Sequence, residues 1–350
     1  MKIFLNPQQY CTLLTTTAAT DQAMSNFASL LNNFEQTAKR GANDAQGNGQ
    51  KRARVEKETE NERGDLPPRD MRQLSVRVSF LCIGAQKAGT TWLYELLKKV
   101  PDVGLPERKE VHFWDWHRRK GLGWYSRQFP PGYRFRGEIT PCYMALPEQD
   151  VKEIRFLFPN VRIVFLARDL VDRAWSALTM ELRNEARGLK PGEFDVPYDK
   201  MDATTRRKLE RDADPNNYDD EFFMKRLREP THTKRSDYAG GLKLWLKHFS
   251  KDQILVLDYS DIAKDPSKLL ARVLEHIGVS NAKTIVEGMD ETDLKKKVNV
   301  GLASNVALRP SLRQKMERYL KSYADEFAQL RNNELCRDDE RPEPARSEAD

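Results

Sequence analysis

The sequence predicts an α/β fold, a central parallel sheet with helices on both faces. Three observations carry it. Short, largely apolar runs at residues 76–83, 161–167 and 253–258 read as buried strands, because they lack the alternation of a half-exposed strand. Stretches with apolar residues at helical spacing follow them, and strand alternating with helix argues for parallel crossovers. The first run also empties into a glycine-rich turn that opens a helix, a place where backbone amides and a helix dipole converge on an anion.

Composition bounds the rest. At 350 residues and 39% hydrophobic content the chain can bury a sizeable core, and no run approaches eighteen apolar residues, so no membrane span is predicted. Residues 1–70 are polar and aperiodic; they read as a disordered extension with a short helix near 21–31. The folded domain is expected over 71–333, with an acidic disordered tail at 334–350. Cys11, Cys82, Cys142 and Cys336 are widely spaced, which predicts reduced thiols, a cytoplasmic setting and no zinc pattern. The tract Lys51 to Lys57 resembles a nuclear-import or polyanion patch, and equally a solvated basic run.

The net charge of +6 is unevenly placed. The first 70 residues balance nine basic against nine acidic side chains, and the last seventeen hold three against seven, so the segment between carries more than the whole excess. That favours an anionic ligand. Nucleic acid is not expected, because basic residues are interleaved with acids along most of the segment.

Gly84-x4-Gly89 has the glycine spacing of a nucleotide-binding P-loop, but Thr90 stands where the Walker lysine belongs. The lysine is inside the loop, at Lys87, where it can lean over the bridging oxygen of a bound anion while Thr90 and Thr91 donate hydroxyls. This arrangement resembles the 5′-phosphosulfate loop of sulfotransferases that use 3′-phosphoadenosine 5′-phosphosulfate (PAPS). The alternative is a strand-to-helix turn that uses glycine only for its backbone freedom.

Lys109 to Trp116 places an acid and an imidazole among aromatics, a half-buried setting expected to raise a carboxylate pKa by desolvation. Glu110 and His112, two apart, are the candidate general bases. Arg136 to Tyr143 then reads as a strand end turning at Pro141, with Glu138 and Tyr143 as polar residues for a cleft or as parts of a structural turn. A short helix is expected over 154–158. The strand at 161–167 ends at Arg168, and Asp169 caps a helix running past Ser176. Arg168 and Ser176 can hold a second phosphate; an Arg168–Asp172 pair is the structural alternative.

Residues 181–233 are charged, proline-interrupted and poor in periodicity, an excursion suited to acceptor-binding loops. An amphipathic helix over 238–249, a strand at 253–258 and a helix from Asp261 to Ile277, stopped by Gly278, continue the pattern. Lys295, Lys296 and Lys297 can close over a phosphate or form a solvated run, and a helix spans 310–330.

Together, Gly84 to Trp92, Lys109 to Trp116, Gly137 to Tyr143 and Arg162 to Ser176 occur in the order of the PAPS-dependent sulfotransferase family, and the chain resembles its glycosaminoglycan branch over about residues 76–330. The resemblance implies a P-loop-like domain that takes PAPS as co-substrate. Lys87 would contact the sulfate and the leaving phosphate, with Ala88, Gly89, Thr90, Thr91 and Trp92 completing the 5′ site. Arg168 and Ser176 would hold the 3′-phosphate. Glu110 would deprotonate the acceptor, with His112 and Asp115 beside it. Sulfuryl transfer needs in-line approach and cationic help for the leaving group, which Lys87 and a helix end supply, so no metal is expected.

Two departures qualify the resemblance. Ile139 follows Glu138 where polysaccharide-modifying members often carry lysine, and no anchor for the secretory pathway is evident. The acceptors that remain are a small hydroxylated or amine metabolite, a carrier-bound intermediate or a soluble saccharide. The rival functions are a P-loop kinase or NTPase, disfavoured by Thr90, and a nucleotide-binding relative without turnover.

Overall fold

A computed structural model describes residues 74–188, 202–296 and 306–335, all within the unit Arg69–Asp350. The expected helix at 21–31, the basic tract at 51–57, Cys11, Cys336, Lys297 and the tail beyond Leu335 lie outside the described residues.

Five parallel strands form the sheet: β1 Phe80–Gly84, β2 Val103–Gly104, β3 Phe135–Ile139, β4 Arg162–Ala167 and β5 Ile254–Asp258, in the order β2-β3-β1-β4-β5. β1 is central, flanked by β3 (Phe80 opposite Gly137) and β4 (Phe80 opposite Arg162). After β1 the chain crosses to the edge at β2, returns inward to β3, and then adds β4 and β5 on the other side of β1. The strand order therefore reverses at the carboxyl end of β1, where open α/β sheets receive ligands.

All five residues of β1 are buried, as are Ile163 to Ala167 of β4, which is why these runs are apolar without alternation. Gly84 is required by a close approach: a Cβ there would stand 2.7 Å from the Phe165 ring.

Helices surround the sheet. α1 (Thr90–Leu97) follows the first turn, α2 (Gly121–Ser126) and α3 (Glu148–Leu157) flank β3, and α4 (Leu170–Ala186) follows β4. The excursion after α4 contains α5 (Ala203–Asp212), α6 (Asp220–Leu227) and α7 (Pro230–Ser236), leading into α8 (Tyr238–Leu246). The expected 261–277 helix is two, α9 (Asp261–Lys264) and α10 (Pro266–Ile277), because Pro266 cannot continue the first and starts the second at its N1 position. Gly278 ends α10 with φ 101°. Asp169 caps α4 by accepting the Asp172 amide at 2.9 Å.

α11 (Ala282–Glu287) and α12 (Glu291–Leu294) precede Lys295 and Lys296, and α13 (Pro310–Leu330) packs on α4, α6 and α8. Among the described residues no helix is long and apolar enough to cross a membrane.

Candidate active site

The loop from Gly84 to Gly89 leaves β1 beside the end of β4, where the Ala85 amide donates to the Leu166 carbonyl at 2.9 Å. Lys87 adopts φ 68° and Gly89 φ 80°. The left-handed turn at Gly89 is closed in by Tyr259 and Ile262, so a Cβ there would be both strained and crowded. Gly89 is also the N-cap of α1 and, having no side chain, supplies no side-chain cap to the first amides of the helix. Thr90 is buried and Thr91 half-buried. Ala88 is fully buried, and Trp92 turns away from the loop, its indole donating to the Leu294 carbonyl at 2.8 Å. These two can serve the loop through their backbone only.

The Lys87 ammonium stands 3.7 Å from the Met180 sulfur of α4. Burial, then the charges of Arg183, Arg168 and Lys109, pull its pKa down to about 8. A half-buried ammonium among other cations, beside an uncapped helix start, is what an oxyanion of a phosphate or sulfate would satisfy.

Arg168, at the end of β4, donates to the Lys87 carbonyl at 2.8 Å and lies over the Tyr259 ring at 4.5 Å. Asp172 is bound instead by Arg313 at 2.7 Å, which removes the structural alternative for Arg168. Ser176, Met180 and Arg183 recur at helical spacing on the face of α4 that meets Lys87. Lys296 is exposed, its amide bonded to the Asp293 carbonyl.

The acid–base cluster sits on the irregular segment between β2 and α2. His112 donates from both ring nitrogens in the middle of it: Nε2 lies 3.0 Å from Glu110 Oε2 and Nδ1 2.8 Å from Asp115 Oδ2. Lys109 Nζ is 3.0 Å from Glu110 Oε1. The His112 ring stacks on Trp116 at 3.6 Å, and Trp116 remains 47% exposed at the mouth of the cluster.

The expected rise of the Glu110 pKa is corrected here. Burial does push it up, but the hydrogen bond and charge of His112, with Lys109, outweigh burial and hold it at about 2. His112 shows the converse: burial pulls it down, and Asp115 and Glu110 reverse that and lift it to about 9. His112 is thus an imidazolium at neutral pH and has no site for a further proton.

Glu138 and Tyr143 do not line a cleft. Their side chains are 1% and 0% exposed, behind the Glu110 segment, because Glu138 sits on β3 with its carboxylate pointed at three buried hydroxyls. Glu110, His112 and Cys142 bring ligand atoms within 4.8 Å of one another. A divalent cation fits poorly there, because Lys109 and the imidazolium flank it and Arg235 approaches Cys142 Sγ at 3.8 Å.

Sequence reasoning missed Met180, Arg183 and Tyr259. The first two had a usable signal, since they continue the helical face marked by Ser176.

Comparison with known proteins follows the same lines. The chain is 21% identical to the membrane-associated sulfotransferase kil1 of Dictyostelium discoideum, over 74% of this chain and 65% of that protein. It is 27% identical to mouse heparan sulfate glucosamine 3-O-sulfotransferase 3B1, over 58% of this chain and 47% of the relative. For human heparan sulfate glucosamine 3-O-sulfotransferase 5 the figures are 28%, 53% and 49%. The match thus spans about half to two thirds of these relatives' lengths. A sulfotransferase crystal structure from Alicyclobacillus acidocaldarius shares the fold, with a TM-score of 0.51 and 21% identity over 74% of this chain and 98% of that one.

The cytoplasmic expectation is corrected by these relatives. One is membrane-associated and the others are named for heparan sulfate, so the spacing of four thiols does not place this chain in the cytoplasm. Residues 78–324 match the sulfotransferase domain model, and the chain belongs to that family.

Proposed function

We propose that the chain transfers a sulfuryl group from PAPS to a hydroxyl of a saccharide acceptor. The observation that carries this reading is the 2.8 Å bond from Arg168 to the Lys87 carbonyl, which joins the loop suited to the 5′ end of the donor to the arginine suited to its 3′-phosphate.

PAPS supplies an activated sulfuryl group and a stable bisphosphate leaving group. Lys87, with the loop amides and the start of α1, binds the 5′ side and offsets charge on the departing oxygen. Arg168 and Ser176 take the 3′-phosphate, with Lys296 at its edge. Glu110 accepts the proton of the attacking hydroxyl through the carboxylate that His112 holds in place, and Asp115 fixes the imidazolium from behind. Glu110 is a weak base while Lys109 and His112 clamp it. Negative charge brought in beside Lys87 and Lys109 relieves that clamp and moves its pKa toward the range of an effective base.

The relatives named for heparan sulfate support a saccharide. So does the open face of Trp116 beside the cluster, a surface on which a sugar ring can lie. The test is incorporation of label from PAPS into N-sulfated heparan sulfate. Transfer dependent on Lys87 and Glu110 is expected. Tight binding of adenosine 3′,5′-bisphosphate with no label entering heparan sulfate would overturn the acceptor assignment, and no nucleotide binding would overturn the whole reading.

A further inference from the structure

Behind the acid–base cluster lies a buried carboxylate that the transfer reading does not use. Glu138 accepts from Tyr125 Oη at 2.7 Å on Oε1 and from Thr140 Oγ1 at 2.7 Å on Oε2, and Tyr143 Oη reaches both oxygens at 3.2 Å. No cation pairs with it among the described residues. Two of these hydroxyls then accept from the catalytic segment: the Val111 amide donates to Thr140 Oγ1 at 3.2 Å and the Phe113 amide to Tyr143 Oη at 2.9 Å.

The residue between those two amides is His112, with φ 52°, a conformation a side chain adopts only when its surroundings hold it. The tethers fall on both sides of the strained residue.

An ionised carboxylate accepts and never donates. While Glu138 is ionised, each hydroxyl around it therefore spends its one proton inward, which leaves its lone pairs for the amides outside. A carboxamide donates on one side; where that side faces Thr140 or Tyr143, the hydroxyl would turn its proton outward, against an amide N–H. We propose that Glu138 is a positioning residue for the transfer: by polarising Thr140 and Tyr143 it holds the backbone on both sides of His112 and so aims Glu110, His112 and Asp115. The inference rests on the transferase reading for its consequence but on the hydrogen bonds alone for its geometry.

Glu138 is itself close to titrating. Burial raises its pKa to about 7 against the three hydroxyls, and the charge of Asp115 adds to the rise. The groups that face it are Tyr125 from α2, Thr140 and Tyr143 from the turn after β3, and Asp115 from the catalytic segment.

The test is Glu138→Gln, an isosteric change, read first by NMR titration of the His112 imidazole, assigned with a His112→Asn variant. In the wild type the His112 midpoint is expected near 9, raised by Asp115 and Glu110. With the amide the clamp loosens, and the midpoint is expected to fall by at least about one pH unit toward the free-histidine value. Transfer to N-sulfated heparan sulfate is expected to lose roughly 10²-fold in kcat, the cost of a misplaced base, with acceptor KM and affinity for adenosine 3′,5′-bisphosphate within about twofold. An unchanged His112 midpoint in the folded variant, or a loss confined to acceptor KM, would overturn the proposal. If Glu138→Gln does not fold, Tyr143→Phe, which cuts one tether, is read the same way. A wild type that shows the His112 signature but neither binds the bisphosphate nor transfers sulfate would sink the transferase reading and leave the clamp standing.

Discussion

The donor loop at 84–89 is bounded by a strand and a helix adjacent in sequence, whereas Glu110, His112 and Asp115 lie on an irregular segment tethered by Thr140 and Tyr143, 29 and 30 positions later. Burial, and then the positive charge gathered around the loop, pull Lys87 down to about 8. The cluster interleaves acids with cations, so His112 is lifted to about 9 while Glu110 is held at about 2. One region is built to want an anion from outside; the other is already neutralised and is built to hold a geometry. The contrast tells which substitutions should strike affinity and which should strike rate.

The largest effect is expected on the acid–base side. Glu110→Gln removes the proton acceptor and should lower kcat by about 10²–10⁴-fold with donor affinity kept, read by labelled transfer and by calorimetry with adenosine 3′,5′-bisphosphate. A variant that lost nucleotide affinity instead would merge the two regions and break the comparison. Lys87→Ala comes next, with about 10²–10³-fold off kcat from lost leaving-group stabilisation and a weaker hold on the nucleotide as well. If Lys87→Ala changed acceptor KM alone, the loop would not be the donor side.

A smaller effect is a pH signature of the cluster in stability. The folded pKa of His112, about 9, lies above its ordinary 6.5, so its contribution is complete below about pH 6.5 and is lost as pH rises through 9. Glu110, at about 2 against 4.5, contributes above about pH 4.5 and loses this as pH falls through 2. The cluster therefore supports the fold most between about pH 4.5 and 6.5. Urea melts at pH 6.5 and pH 9 should show wild type losing about 1–3 kcal/mol more than His112→Asn over that interval. Equal losses in the two proteins would mean that the imidazole is not clamped.

The same contrast explains what could be read from the residues alone. The strands, the turn with Lys87, the Asp169 cap and the Gly278 stop are local patterns, each settled by neighbours in sequence. Glu110 and His112 were legible as candidates but not their protonation, because Lys109 and Asp115 act through side-chain geometry that spacing does not set. Glu138 looked like a cleft residue for the same reason. Its three hydroxyls come from Tyr125, Thr140 and Tyr143, and nothing in a linear pattern says that they converge. The two-residue strand β2 is too short to leave a period.

The most direct measurement compares the thermal stabilisation given by adenosine 3′,5′-bisphosphate with that given by adenosine 5′-monophosphate, in the wild type and in Arg168→Ala. If loop and arginine grip the two ends of one nucleotide, the bisphosphate should stabilise the wild type well beyond the monophosphate, and the advantage should vanish in Arg168→Ala. Equal stabilisation by both nucleotides in the wild type, or a preference that survives the loss of Arg168, would contradict it.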